Sequence, residues 1–84
     1  MPVVPTPTPN PIATKFVVGK PVGGPGTVKP GSDATGFAAE IAGIDGVTSV
    51  FFTADFVTVT KDPSADWETL VPRVVAILER EFEA

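Results

Sequence analysis

The chain contains no cysteine and no histidine. The first absence removes a disulfide framework and thiolate metal sites. The second removes the commonest general base and a frequent metal ligand. Together they exclude zinc fingers, cysteine nucleophiles and Ser-His-Asp triads. Serine and threonine are present, but no thiol or imidazole is there to replace or activate them. No carboxylate pair stands out as a catalytic dyad, so the chain is expected not to be an enzyme. Positive charge is also scarce, with six Lys plus Arg against ten Asp plus Glu and a net charge of −4. Lys15, Lys20, Lys29, Lys61, Arg73 and Arg80 are scattered along the chain. A nucleic-acid partner needs a basic footprint to neutralise its phosphates, and none is supplied. No apolar run approaches the ~20 residues needed to span a bilayer. The opening Met1–Pro9 lacks the charged start and apolar stretch of a secretory signal. The expectation is a cytoplasmic chain with neither a membrane nor a nucleic-acid partner.

What is present suits one small domain. A chain of 84 residues buries roughly 60–65% of its unfolded surface, so each large apolar residue matters to a modest core. Hydrophobic residues make up 43% of the chain, and six Phe and one Trp supply the bulk. That share is normal for a folded domain and too high for a disordered one.

Proline and glycine punctuate the first third. Five of the ten prolines lie in residues 2–11, which forbids a helix or a central strand there. Residues 1–12 are expected to form an extended arm, with Asn10 between two prolines suited to a turn. Residues 13–18 are rich in strand formers, with Phe16 and Val18 on one face. The glycine-rich stretch 19–31 lacks the hydroxyl of a phosphate-binding loop, because Pro21 follows Lys20. It reads as a connector, with a short strand around Thr27–Lys29. A helix is predicted over 33–43, capped by Ser32 or Asp33, with Phe37, Ile41 and Ile44 forming an apolar stripe.

Residues 47–61 read as a β-hairpin around Ala54-Asp55. Pairing Phe52 with Val57 and Val50 with Val59 sorts four apolar residues to one face. Phe51 opposite Thr58, Phe56 opposite Thr53 and Ser49 opposite Thr60 then share the other face. A slip of one residue would mix valine with threonine on both faces. A two-residue or a four-residue loop gives these pairs; Ala-Asp is not a preferred tight-turn pair, which keeps the longer loop open. The last element is a helix over 65–82 capped by Ser64 or Asp66. Its stripe runs through Trp67, Leu70, Val71, Val74, Ile77, Leu78 and Phe82, with Pro72 on the polar side. The fold expected is α+β: a two-layer sandwich of three to four antiparallel strands with both helices on one face.

Thr8-Pro9-Asn10-Pro11 followed by Lys15-Phe16 resembles the opening of the N-terminal domain of Nfu/NifU-like iron–sulfur cluster scaffold proteins. The likeness continues through Gly19-Lys20-Pro21-Val22, Asp45-Gly46-Val47 and Ser49-Val50-Phe51-Phe52. It extends over Asp55 to Lys61, then Asp66-Trp67 and Pro72. It covers nearly the whole chain. The resemblance implies association with iron–sulfur cluster assembly. Proteins of this family commonly carry a second, C-terminal domain whose Cys-x-x-Cys pair holds a cluster between subunits. That domain is absent from this chain, which is either a fragment or a stand-alone short form. The chain alone is expected to hold no cofactor, although the family implies iron binding.

Three sets of residues are candidates for function. Asp55, Asp62 and Asp66, with Glu68 nearby, offer hard oxygens for iron(II), calcium or magnesium, but match no EF-hand spacing. Caps and turns account for them more simply. Phe51 and Phe56 on the open side of the sheet form a candidate partner surface. The turn Thr8, Pro9, Asn10 and Pro11 belongs to an arm that could dock along the sheet edge or be presented to a partner as an extended ligand, and the resemblance favours an ordered role for it. The reading is a monomeric protein-interaction module, an adaptor for a scaffold or its client proteins. The alternatives are weak iron binding through carboxylates and a purely structural domain.

Overall fold

The computed structural model describes residues 3–31 and 36–82. Strands β1 (Val4–Pro7), β2 (Ala13–Val17) and β3 (Gly26–Val28) precede helix α1 (Phe37–Ala42). Strands β4 (Val47–Thr53) and β5 (Phe56–Lys61) then lead to helix α2 (Trp67–Phe82). The strands form one antiparallel sheet in the order β1-β2-β5-β4-β3.

The sheet has five strands, one more than the upper expectation. The extra strand is the proline-rich arm, with Pro5 paired to Phe16 and Pro7 to Thr14. Proline is tolerated because β1 is an edge strand. Ladder bonds to β2 must come from Val4 and Thr6, so the outward side of β1 carries the Pro5 and Pro7 carbonyls and no N–H.

The β4–β5 pairing has the expected register, with Phe52 opposite Val57, Val50 opposite Val59 and Phe51 opposite Thr58. Its loop is the two-residue turn Ala54-Asp55, the shorter of the two lengths expected, although turn chemistry does not prefer that pair. Ala54 takes a positive φ of 50°. The turn is held from outside: Val18 and Gly19 N–H donate to the Asp55 carbonyl at 2.8 and 3.2 Å, and Val22 N–H donates to the Ala54 carbonyl at 2.9 Å. A bulge at Thr48 shifts the register, so that Val47 faces Lys61 and turns into the core.

One face of the sheet carries Phe16, Val50, Val57 and Val59, all fully buried. Against it pack Ala38, Ile41 and Ala42 of α1 and Leu70, Val74 and Leu78 of α2, forming one core. Phe37 makes edge-on contacts with Phe52 and Phe82 at 5.5 and 5.0 Å, closing one end of that core. An exposed Arg80–Glu40 ion pair links the two helices.

The expected caps Ser32 and Asp33 of α1 lie outside the described residues. Its stripe is as expected, with Ile41 buried and Phe37 and Ile44 packed against the core. At α2 the cap is Asp66, whose Oδ1 accepts the Glu68 N–H at 3.0 Å. Ser64 instead bonds to Asp62. Pro72 lies inside α2 on its exposed side.

Candidate functional site: an open sheet face and a neutral cleft

Because both helices cover one face, the other face of the sheet is open. Alternation places Thr6, Lys15, Thr58, Phe51 and Thr27 there in one row across all five strands. A second row runs Val4, Val17, Phe56 and Thr53. The face has a hydroxyl-rich, nearly uncharged surface whose single ionic side chain within the strands is Lys15.

The two aromatic candidates differ in their surroundings. Phe51 is 38% exposed, and nothing charged crosses its ring among the described residues. Phe56 is half-buried, with Lys15 Nζ 4.4 Å from the centre of its ring. That cation–π contact was not legible from the strand alone, because Lys15 reaches Phe56 across the β2–β5 pairing.

The turn candidates lie elsewhere. Thr8 Oγ1 donates to the carbonyls of Asn10 and Ala13 at 2.9 and 2.8 Å. Asn10 Oδ1 accepts the Ile12 N–H at 3.2 Å. These bonds make Thr8–Pro11 an ordered turn between β1 and β2. Trp67 at the start of α2 donates its indole N–H to the Pro11 carbonyl at 3.1 Å. A cleft of about 300 Å³ lies between the turn and the helix, lined by Pro5, Thr8, Asn10, Pro11, Ala13, Thr14, Trp67 and Val71. Pro9 is exposed and does not line it. Thr14, Trp67 and Val71 were not anticipated here. Trp67 and Val71 belong to the helical core stripe, and only a contact spanning 56 residues brings them to the turn.

The carboxylates separate. Asp62 and Asp66 line a second cleft of about 320 Å³ with Asp45. Asp55 sits at the far end of the β4–β5 hairpin. Asp62 Oδ1 accepts the Ser64 N–H at 2.9 Å and the Ser64 hydroxyl at 2.7 Å. These two bonds, with help from the Lys61 charge, hold its carboxyl below the ordinary aspartate range. Asp66 is engaged as the α2 cap. Among the described residues no group of three or more His, Cys, Asp or Glu is placed to hold a metal ion. No helix among them is long and apolar enough to cross a membrane.

Known proteins are similar to this chain in sequence, and a solved structure is similar to it in fold. Residues 3–84 match the family described as scaffold protein Nfu/NifU, N-terminal. The human protein named NFU1 iron-sulfur cluster scaffold homolog, mitochondrial, is 42% identical over 76 residues, covering 84% of this chain and 30% of the human one. NifU-like protein 4, mitochondrial, of Arabidopsis thaliana is 41% identical over 73 residues, covering 82% of this chain and 26% of its own. The chain thus spans under a third of the length of either relative. The crystal structure of protein SAV1430 from Staphylococcus aureus superposes with a TM-score of 0.76 at 30% identity, covering 94% of this chain and all of that one. The match spans the turn, the hairpin and both helices, and the chain belongs to the Nfu/NifU scaffold N-terminal family.

Proposed function

We propose that the chain is a non-catalytic adaptor module of iron–sulfur cluster assembly, which binds a scaffold or client protein through the open face of its sheet. The observation that carries this reading is the exposed ring of Phe51, flanked in its row by Thr58 and Thr27, on the face that neither helix covers. Family membership and the scaffold names of the relatives support the biological setting. Both sheet edges disfavour strand addition, since β1 offers no outward N–H and β3 is three residues long. A face contact is therefore the more accessible route to a partner.

The cluster-carrying Cys-x-x-Cys domain of an Nfu scaffold is the partner to try first. Amide NMR of the labelled chain, titrated with that domain, should show shifts confined to the outward residues of β4 and β5. Phe51→Ser should abolish them, and Phe56→Ser should weaken them, with core amides unchanged. Binding that is equal in the folded variants and the parent would refute the face as the contact.

A further inference from the structure

We propose that the cleft between the Thr8–Pro11 turn and α2 is a recognition pocket for one neutral, apolar side chain of an extended peptide. This site is separate from the open face, because Pro5 and Thr14 point to the helix side of the sheet, opposite Phe51.

Three features define the occupant. The first is size. A volume of about 300 Å³ sits at the lower end of the roughly 300–1,000 Å³ range of ligand pockets, enough for one large side chain. The second is charge. No Asp, Glu, Lys or Arg lines the cleft; the cation beside its wall, Lys61, has its Nζ 5.8 Å from the Trp67 ring centre and donates to the Asp62 carbonyl, so a charged group placed in the cleft would lose its water without a partner among the lining residues. The third is an unused polar group. Thr14 is only 9% exposed, and its hydroxyl makes no hydrogen bond within the described residues. Among those residues no fully buried side-chain polar atom lacks a partner. The hydroxyl is therefore not sealed from outside, and Thr14 is one of the residues that line the cleft.

The Trp67 indole N–H is already committed to the Pro11 carbonyl. Trp67 thus presents ring surface to the cleft, alongside Pro5, Pro11 and Val71. Apolar walls with one spare hydroxyl suit a side chain that inserts while its own backbone carbonyl or N–H meets Thr14. Aromatic and proline-lined grooves take extended peptides in this way, with pockets for side chains and hydrogen bonds to the main chain.

Trp67 is the chain's single tryptophan, so all tryptophan fluorescence comes from one wall of this cleft. The probes are acetyl-Ala-Leu-Ala-amide, the same peptide with Glu for Leu, and 3-methyl-1-butanol, at millimolar concentration. The leucine peptide should give a saturable change in emission, with amide shifts restricted to Thr8–Thr14 and Trp67–Val71. The glutamate peptide and the alcohol should bind at least tenfold more weakly, as roughly 1.4 kcal/mol per decade implies. Thr14→Val should weaken the leucine peptide about fivefold, the worth of one ordinary hydrogen bond. Phe51→Ser should leave cleft binding intact, which separates this test from that of the open face. An absence of saturation in the parent chain would overturn the proposal, without need of any variant. So would equal binding of the glutamate peptide or of the alcohol, or an unchanged affinity in a folded Thr14→Val chain.

Discussion

Gly26 lies directly against the ring of Phe52: a Cβ built on Gly26 would come within 2.7 Å of Phe52 Cζ. The two face each other across the β3–β4 pairing. Phe52 in turn packs edge-on against Phe37 of α1, so its ring has little room to retreat. Gly26→Ala should destabilise the domain by about 1–3 kcal/mol through overpacking. Urea denaturation of the two chains measures it, and an equal midpoint would show that the ring gives way freely.

Phe16 and Phe51 should separate stability from recognition. Phe16 is fully buried at the centre of the core. Phe16→Ala should cost about 3–5 kcal/mol, enough to leave so small a domain largely unfolded. Phe51→Ser should cost about 1 kcal/mol or less, the span of strand preferences at a half-open site. Thermal melts followed by circular dichroism distinguish the two.

Asp66 should count as a cap rather than as a ligand. Its Oδ1 accepts the Glu68 N–H, and its backbone carbonyl accepts the Thr69 and Leu70 N–H groups at 3.1 Å. Asp66→Ala should destabilise α2 by about 1 kcal/mol, and Asp66→Asn by much less, because asparagine caps nearly as well. Chemical denaturation of both variants tests this; equal losses would assign the effect to the charge.

Asp62 carries a pH signature. Its carboxyl titrates below the ordinary aspartate range because the Ser64 N–H, and then its hydroxyl, bond to the ionised form. A depressed folded-state pKa contributes stability that is fully present above the unfolded-state value. That contribution fades as pH falls through the folded-state value. The window therefore lies below about pH 4. Asp62→Asn keeps an oxygen for Ser64 and removes the titration, so its stability should fall less steeply over that acid range. Parallel slopes for the two chains between neutral pH and the acid limit would contradict the assignment.

Much of the fold was legible because its centre is made of local pairings. The alternation in Val50-Phe51-Phe52 and Phe56-Val57-Thr58-Val59 allows one register that keeps valine apart from threonine, and the β4–β5 pairing adopts it. The α2 stripe was legible for the same reason, since Leu70, Val74 and Leu78 are buried at helical spacing. The loop length stayed open between two and four residues because turn preference counts only Ala54 and Asp55. The bonds that hold it come from Val18, Gly19 and Val22, far away in sequence. That the arm could lie along a sheet edge was legible, but not that it pairs as a fifth strand, because proline argues against strands in general and only sheet position reveals where its missing donor costs nothing. At the candidate sites, alternation placed Phe51 and Phe56 on the open face. The Lys15 cover over Phe56 and the joining of Trp67 to Pro11 arise from tertiary contacts that no local pattern encodes.

The outward edge of β1 carries the carbonyls of Pro5 and Pro7 with no N–H between them. Two copies brought together along that edge would set acceptor against acceptor, and no ladder could start. Fibre growth through β1 is thus barred by covalent structure rather than by net charge, and added salt cannot unlock it.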